Sequence, residues 1–306
     1  IRSCLVGSEM CIRDSGYFEW YFLPSTTRHL TNTFDLDIQL TSRLRNLPIL
    51  HELENCDIAV IPTEWQKQQF PKEYQNKLKV IFDGIDRDFF KYRPDYSNNK
   101  LSIKLRDRDT GKLFTINSKE KVISYATRGM ETLRGFPEFM RALPSLFEKH
   151  HDLKAIIAGA DKRAYSYDAP TNGGSWKKHL LEEIKGQIPL KRIIFTGLLT
   201  YEDYRDLLWR SDLHCYFTRP YVTSWSLFES AACGARLAIN KCPATENIVD
   251  KKSVIWVNLD NQSEINDKLS AGLEQNVQQS RLLPGFDLTT SLEKWQILLN
   301  EALQKS

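Results

Sequence analysis

The 306-residue chain has no appreciable excess of charge of either sign, with 42 Lys and Arg against 39 Asp and Glu, and its basic residues are spread along the sequence. A nucleic-acid or membrane-surface partner draws on a concentrated basic face, so neither is expected. No apolar run approaches the roughly 18 residues that cross a bilayer, and no charged-then-apolar secretion signal opens the chain. The expectation is a cytoplasmic protein without an integral membrane segment. The six cysteines, at positions 4, 11, 56, 215, 233 and 242, form neither a CxxC pair nor a His/Cys cluster of metal-ligand spacing, which argues against a disulfide framework and a zinc site. Cys56, Cys215 and Cys233 lie within apolar patterns and read as buried thiols. The six histidines show no spacing that marks a catalytic dyad.

What the chain does contain is alternation. It is long enough for two α/β domains, or one and a half. Residues 1–15 show neither helical nor strand periodicity and look like translated adapter sequence, so they are expected to be a non-native artefact outside the fold. On that reading the natural N-terminal portion is missing, and the fragment is expected to bind its ligand but to be impaired in turnover. Residues 16–95 read as the last βα units of a Rossmann-like domain. An amphipathic stretch at 41–56, interrupted by Pro48, leads to a strand at 56–62; a short helix capped by Thr63 follows, and then a strand at 79–84. Residues 96–119 read as a hairpin inserted between domains, with its turn near Thr110 and Gly111. Residues 120–285 alternate strands (121–127, 153–160, 192–198, 213–218, 235–241, 254–258) with helical patterns, which implies a doubly wound parallel sheet whose ligands bind beyond the strand C-termini. Residues 286–306 end in an amphipathic helix from 288 to 304.

The segment at 221–245 carries the most chemistry. Thr223, Ser224 and Ser226 stand at the mouth of a short helix, whose free N–H groups and partial positive charge suit an anion such as a diphosphate. Glu229 lies one turn inside, where a carboxylate accepts hydrogen bonds from two neighbouring hydroxyls of a ribose. Arg128 and Arg134, six positions apart, flank the loop after the strand at 121–127; guanidinium groups grip phosphate oxygens in pairs. Gly197 ends the strand at 192–198, and the backbone at Leu198 and Leu199 is placed to pair with a base edge. The long loop at 165–176 is a candidate lid. In the first domain, the aromatic run at 17–21, with Glu19 and Trp20, is a candidate for facing an acceptor sugar. Asp35 and Asp37 form a DxD that precedes a helical pattern and reads as a cap, so no metal site is expected.

These pieces, together with Pro62, Thr63 and Trp65, Asp83 to Asp86, Gly135, and Ala232, Cys233 and Gly234, resemble the GT-B glycosyltransferases of the group-1, family-four type. The resemblance runs over residues 17–306 and is strongest from 120 to 250. It implies an α/β fold of GT-B type: a doubly wound C-terminal domain, the C-terminal part of a second Rossmann-like domain, and a last helix that crosses back to the first. It implies a retaining, metal-independent enzyme without a cofactor, which moves a sugar from a nucleoside diphosphate sugar to a glycan or lipid-linked acceptor. Arg128, Arg134 and Glu229 would carry catalysis. The nucleotide and donor would be held by Gly197, Leu198, Leu199, Tyr221, Thr223, Ser224, Trp225 and Ser226 with Glu229. One departure stands out. The family's first Glu, which contacts donor-sugar hydroxyls, is replaced by Tyr221, so the alternative is a non-catalytic nucleotide-binding protein of the same fold.

Overall fold

The computed structural model describes residues 36–93, 102–107, 110–164, 169–170, 174–220, 222–275 and 278–304. In chain order the elements are α1 (Leu36–Asn55), β1 (Ala59–Ile61), α2 (Glu64–Gln68), β2 (Leu78–Val80), β3 (Ile103–Arg106), β4 (Leu113–Ile116), β5 (Lys121–Gly129), α3 (Phe136–Lys149), β6 (Leu153–Ala160), α4 (Trp176–Glu183), β7 (Ile193–Gly197), α5 (Tyr201–Arg210), β8 (Leu213–Tyr216), α6 (Trp225–Ala232), β9 (Leu237–Asn240), β10 (Ile255–Val257), α7 (Gln262–Glu274) and α8 (Leu288–Gln304). They fall into two compact units, one formed by residues 87–219 and 223–283, the other by residues up to 86 with 220–222 and 284 onward.

In the smaller unit β1 and β2 pair in parallel over a core of Ile49, Leu53, Cys56, Ala59, Ile61, Phe70 and Leu78. Thr63 caps α2, its hydroxyl oxygen accepting from the Gln66 N–H at 3.2 Å. α1 runs straight through Pro48, where the sequence pattern predicts a break. Proline removes one i→i−4 bond, here the one to the carbonyl of Leu44, a residue on the exposed side of the helix. α8 begins where the Leu288 N–H donates to the Ile85 carbonyl at 3.0 Å.

The larger unit is a six-stranded parallel sheet in the order β10-β9-β8-β5-β6-β7. Side chains alternate across it as strand geometry requires. Ile123, Tyr125, Ala155 and Ile157 pack against α3, α4 and α7, with Phe136, Phe139, Leu143, Leu146, Leu180, Ile265 and Leu269 in one core. Val122, Ile156 and Ala158 point to the opposite face, where they meet Leu207 of α5 and Ile103, Leu105 and Ile116 of the antiparallel β3–β4 hairpin. The hairpin thus covers sheet that α5 alone leaves open. It is fastened to α5 by the Arg106 N–H, which donates to Asp203 at 2.9 Å. α7 is a helix with no strong sequence signal. The Asn261 side chain caps it by accepting from the Glu264 N–H at 3.1 Å, and Gly272 lets it lie against β10, since a Cβ there would come 2.4 Å from the Ile255 side chain. No helix among the described residues is long and apolar enough to cross a membrane.

Candidate functional site

The chain builds β5, β6 and β7 outward to one side, then returns to lay β8, β9 and β10 on the other side of β5. The loops leaving β5 and β8 therefore diverge, and in open α/β sheets the crevice at such a switch point is where ligands bind.

The two loops are tied together there. After β5 a tight turn over Thr132–Arg134 ends at Gly135, whose φ of 64° is left-handed. Glycine is required twice at this point, because a Cβ would also come 2.5 Å from the Phe217 Cβ. The Arg219 N–H donates to the Leu133 carbonyl at 2.7 Å. Arg134 is buried, with its guanidinium donating to the Thr218 hydroxyl at 3.0 Å, while the Tyr125 hydroxyl holds its carbonyl at 2.8 Å. Thr218 is itself fixed by Asn240 at the end of β9: its N–H donates to Oδ1 at 2.8 Å and its carbonyl accepts from Nδ2 at 2.7 Å. The Arg219 guanidinium braces the same loop against Glu138 of α3 at 2.6 Å and Asp260 beyond β10 at 2.5 Å. None of Thr218, Arg219 and Asn240 has a sequence signal. Each is an ordinary polar residue until the sheet order brings the strand ends side by side.

α6 follows the β8 loop. Ser224 caps it, accepting from the Ser226 N–H at 3.4 Å and lying 2.9 Å from the Ser226 hydroxyl, and the Ser224 N–H is held by the Tyr216 hydroxyl at 3.1 Å. Both serines are part-buried, and Trp225 beside them is exposed. Thr223 is turned inward, its hydroxyl donating to the Ala244 carbonyl at 2.6 Å, so it shapes the turn instead of facing the helix mouth. Glu229 is 6 % exposed. Its carboxylate has no hydrogen-bond or ion-pair partner among the described residues, and burial pushes its pKa up to about 7. Removing an acid from water without a partner is costly. Its raised pKa lets the acid stay protonated at little cost below about pH 7, and ionisation there would be favoured by hydrogen-bond donors brought to it.

Arg128, by contrast, is exposed near the end of β5, and the structure gives the two arginines different environments. Gly197 ends β7 with a φ of 68°, packed against the Asp107 carboxylate of the hairpin. Leu198 and Leu199 are half-buried, Leu199 against the hairpin core. Tyr221, Glu19, Trp20, Asp35 and most of the 165–176 loop lie outside the described residues. Asp37 falls within α1. Among the described residues no group of three His, Cys, Asp or Glu is placed to hold a metal ion.

A second arrangement looks catalytic on paper. The Ser124 hydroxyl lies 2.8 Å from His214 Nδ1 and 2.6 Å from the Ser211 hydroxyl. Ser124 and His214 are fully buried, and burial holds the imidazole neutral with a pKa of about 3. No substrate reaches it, and it is a packing feature of β5 and β8.

Residues 109–282 match the family model for glycosyl transferases group 1, and residues 11–90 match that for the glycosyl transferase family 4 group. No curated protein sequence matches the chain. Among solved structures, sucrose-phosphate synthase from Thermosynechococcus elongatus superposes with a TM-score of 0.62 at 11% identity, over 94% of this chain and 67% of that one. Anabaena HepE in complex with UDP-glucose gives 0.57 at 14% identity, over 85% and 68%. S. aureus TarM, in a complex that contains UDP, gives 0.59 at 14% identity, over 84% of this chain but only 46% of its own length. At these identities the likeness is one of fold, the GT-B fold.

Proposed function

The chain belongs to the glycosyl transferases of group 1, and on that premise we propose that it takes a sugar from a nucleoside diphosphate sugar to a glycan or lipid-linked acceptor, with retention at the anomeric carbon and without a metal. The observation that carries the reading is Glu229: a buried carboxylate of α6 with no hydrogen-bond or ion-pair partner among the described residues, and with the Ser224 and Ser226 N-terminus one turn away. In this reading Glu229 accepts from the two ribose hydroxyls. Arg134, Ser224 and Ser226 face the diphosphate, the turn at Leu198 and Leu199 meets the base, and Trp225 borders the site. Arg128, exposed near the same strand end, is the second candidate cation for the phosphates.

In the transfer the bond between the sugar C1 and the diphosphate oxygen breaks with its electron pair going to the diphosphate. The acceptor oxygen forms the new bond to C1 and gives up its proton to the departing diphosphate oxygen. Negative charge grows on the leaving diphosphate, where a guanidinium and a helix N-terminus stabilise it, which is the role a metal plays elsewhere. The UDP and UDP-glucose named with TarM and HepE favour a nucleotide sugar as donor. The replacement of the family's first Glu by Tyr221 leaves a second reading, a nucleotide-binding protein without transfer.

A thermal-shift screen of UDP, GDP, ADP and their sugars tests the binding step, because a ligand of the folded state raises its apparent stability. Incubation of the best donor with acceptor mixtures in the presence of EDTA then tests transfer, the product anomer being read by NMR. Absence of any nucleotide-dependent shift overturns the reading. Binding without transfer selects the second one, and an inverted product or loss of transfer in EDTA removes retention or metal independence.

A further inference from the structure

Tyr201 is 59 % exposed, yet its ring is held in place. It opens α5 directly after Thr200, whose hydroxyl oxygen caps that helix by accepting from the Asp203 N–H at 3.1 Å, and it follows the β7 turn of Gly197, Leu198 and Leu199. One edge rests on Phe90, with ring centroids 6.2 Å apart and planes at 75°. Phe90 is buried and also meets Tyr204 at 6.4 Å and Phe89 at 4.9 Å. Tyr204 is one turn along the same face of α5, and its hydroxyl donates to the Ser226 carbonyl at 3.3 Å. That face of α5 therefore abuts the first turn of α6, the helix that carries Glu229. The charge of Glu229 reaches the Tyr201 phenol and, after burial, is the second cause that raises its pKa.

A ring buttressed from behind by a buried phenylalanine, open in front, and set between a strand-end turn and a ribose-binding carboxylate has the form of a stacking surface. Such a ring has given up rotamer freedom before any ligand arrives, which lowers the cost of binding. Every nucleobase has a π face to lay against it. Resting on the nucleotide-binding reading above, we propose that Tyr201 is the platform on which the base of the nucleoside diphosphate stacks while Glu229 holds the adjoining ribose. Because stacking tolerates any base, selectivity between bases would come from the backbone at Leu198 and Leu199.

The test is isothermal titration of wild type, Tyr201→Ala and Tyr201→Phe with UDP, GDP and inorganic pyrophosphate. The side chain is exposed, so all three proteins should fold, and matched melting temperatures without ligand check this. Tyr201→Ala should bind both nucleotides on the order of five- to a hundredfold more weakly, the range for losing one base–aromatic stack. It should bind pyrophosphate as the wild type does, and Tyr201→Phe, which keeps the ring, should stay within about twofold of wild type. Unchanged nucleotide affinity in Tyr201→Ala, or an equal loss for pyrophosphate, overturns the stacking assignment and leaves the functional reading standing. Failure of the wild type to bind UDP, GDP and, titrated alongside them, ADP overturns both.

Discussion

The Arg134 guanidinium donates to the Thr218 hydroxyl at 3.0 Å, a bond between side chains 84 positions apart. It joins the loop after β5 to the loop after β8 at the point where the sheet order reverses, and so places a buried cation at the switch point. Arg134→Ala should lower affinity for a nucleoside diphosphate by on the order of tenfold to a hundredfold, the value of a charge-assisted hydrogen bond. Affinity for the free nucleoside should change much less. Titration of both ligands against both proteins checks it, and equal losses would count against a phosphate contact.

Glu229→Gln should show a pH-dependent signature. The folded-state pKa of about 7 lies above the ordinary 4.5, so the native state holds its proton more tightly than the unfolded state. The ionised group destabilises the fold increasingly as pH rises from 4.5 through 7. Relative to wild type, the Gln variant should therefore gain nothing near pH 4 and on the order of 3 kcal/mol above pH 7. Denaturant titrations of both proteins across pH 5 to 8 measure the difference. In the same range the wild type should bind ribose-bearing ligands more tightly as pH rises, because the anion is the better acceptor, and the Gln variant should lose that slope.

Arg219→Gln should cost about 2–4 kcal/mol of stability in the larger unit, somewhat under the figure for a fully buried pair, because it strands Glu138 in a nearly buried position. Arg219→Gln with Glu138→Gln should recover part of that loss, since the second change removes the stranded charge. Additive losses in the double-mutant cycle would mean the two side chains do not work as a pair.

Leu105→Ala in the hairpin should destabilise the larger unit by about 2–5 kcal/mol, since Leu105 is fully buried against the sheet. A change under about 1 kcal/mol in chemical denaturation would show that the hairpin is an appendage and not part of the core.

Much of this was readable in the sequence, for physical reasons that differ by element. β6, LKAIIAGA, is apolar but for Lys154 because the strand is buried on both faces along its middle, and its bounds coincide with the predicted 153–160. α8 has helical periodicity, and its bounds coincide with the predicted 288–304. α7 was less legible because Ser270 and Gly272 share its buried face with Ile265, Leu269 and Leu273, so part of its burial arises from close approach and not from apolar side chains. The break predicted at Pro48 is absent, since the helix continues through it from Leu36 to Asn55 on a side that is exposed at Leu44 and Leu47. At the site, Glu229 and the serine-capped helix mouth were visible as a motif. Thr218, Arg219, Asn240 and Tyr201 were not, since each acquires its role from a residue distant in sequence, and the inward turn of Thr223 depends on a single carbonyl at Ala244.

The reversal of strand order also governs how the larger unit assembles. β5, β6 and β7 can pair through neighbouring segments, whereas laying β8 on β5 brings together groups 90 positions apart, such as the Val122 N–H and the Asp212 carboxylate at 2.8 Å. Closing that seam is the least local event in the sheet, and non-local pairing is what slows folding. Arg134 and Thr218 meet only once it has closed. A nucleotide held from both sides of the seam would therefore act as a late fastener, retarding the opening of the sheet more than it hastens its formation.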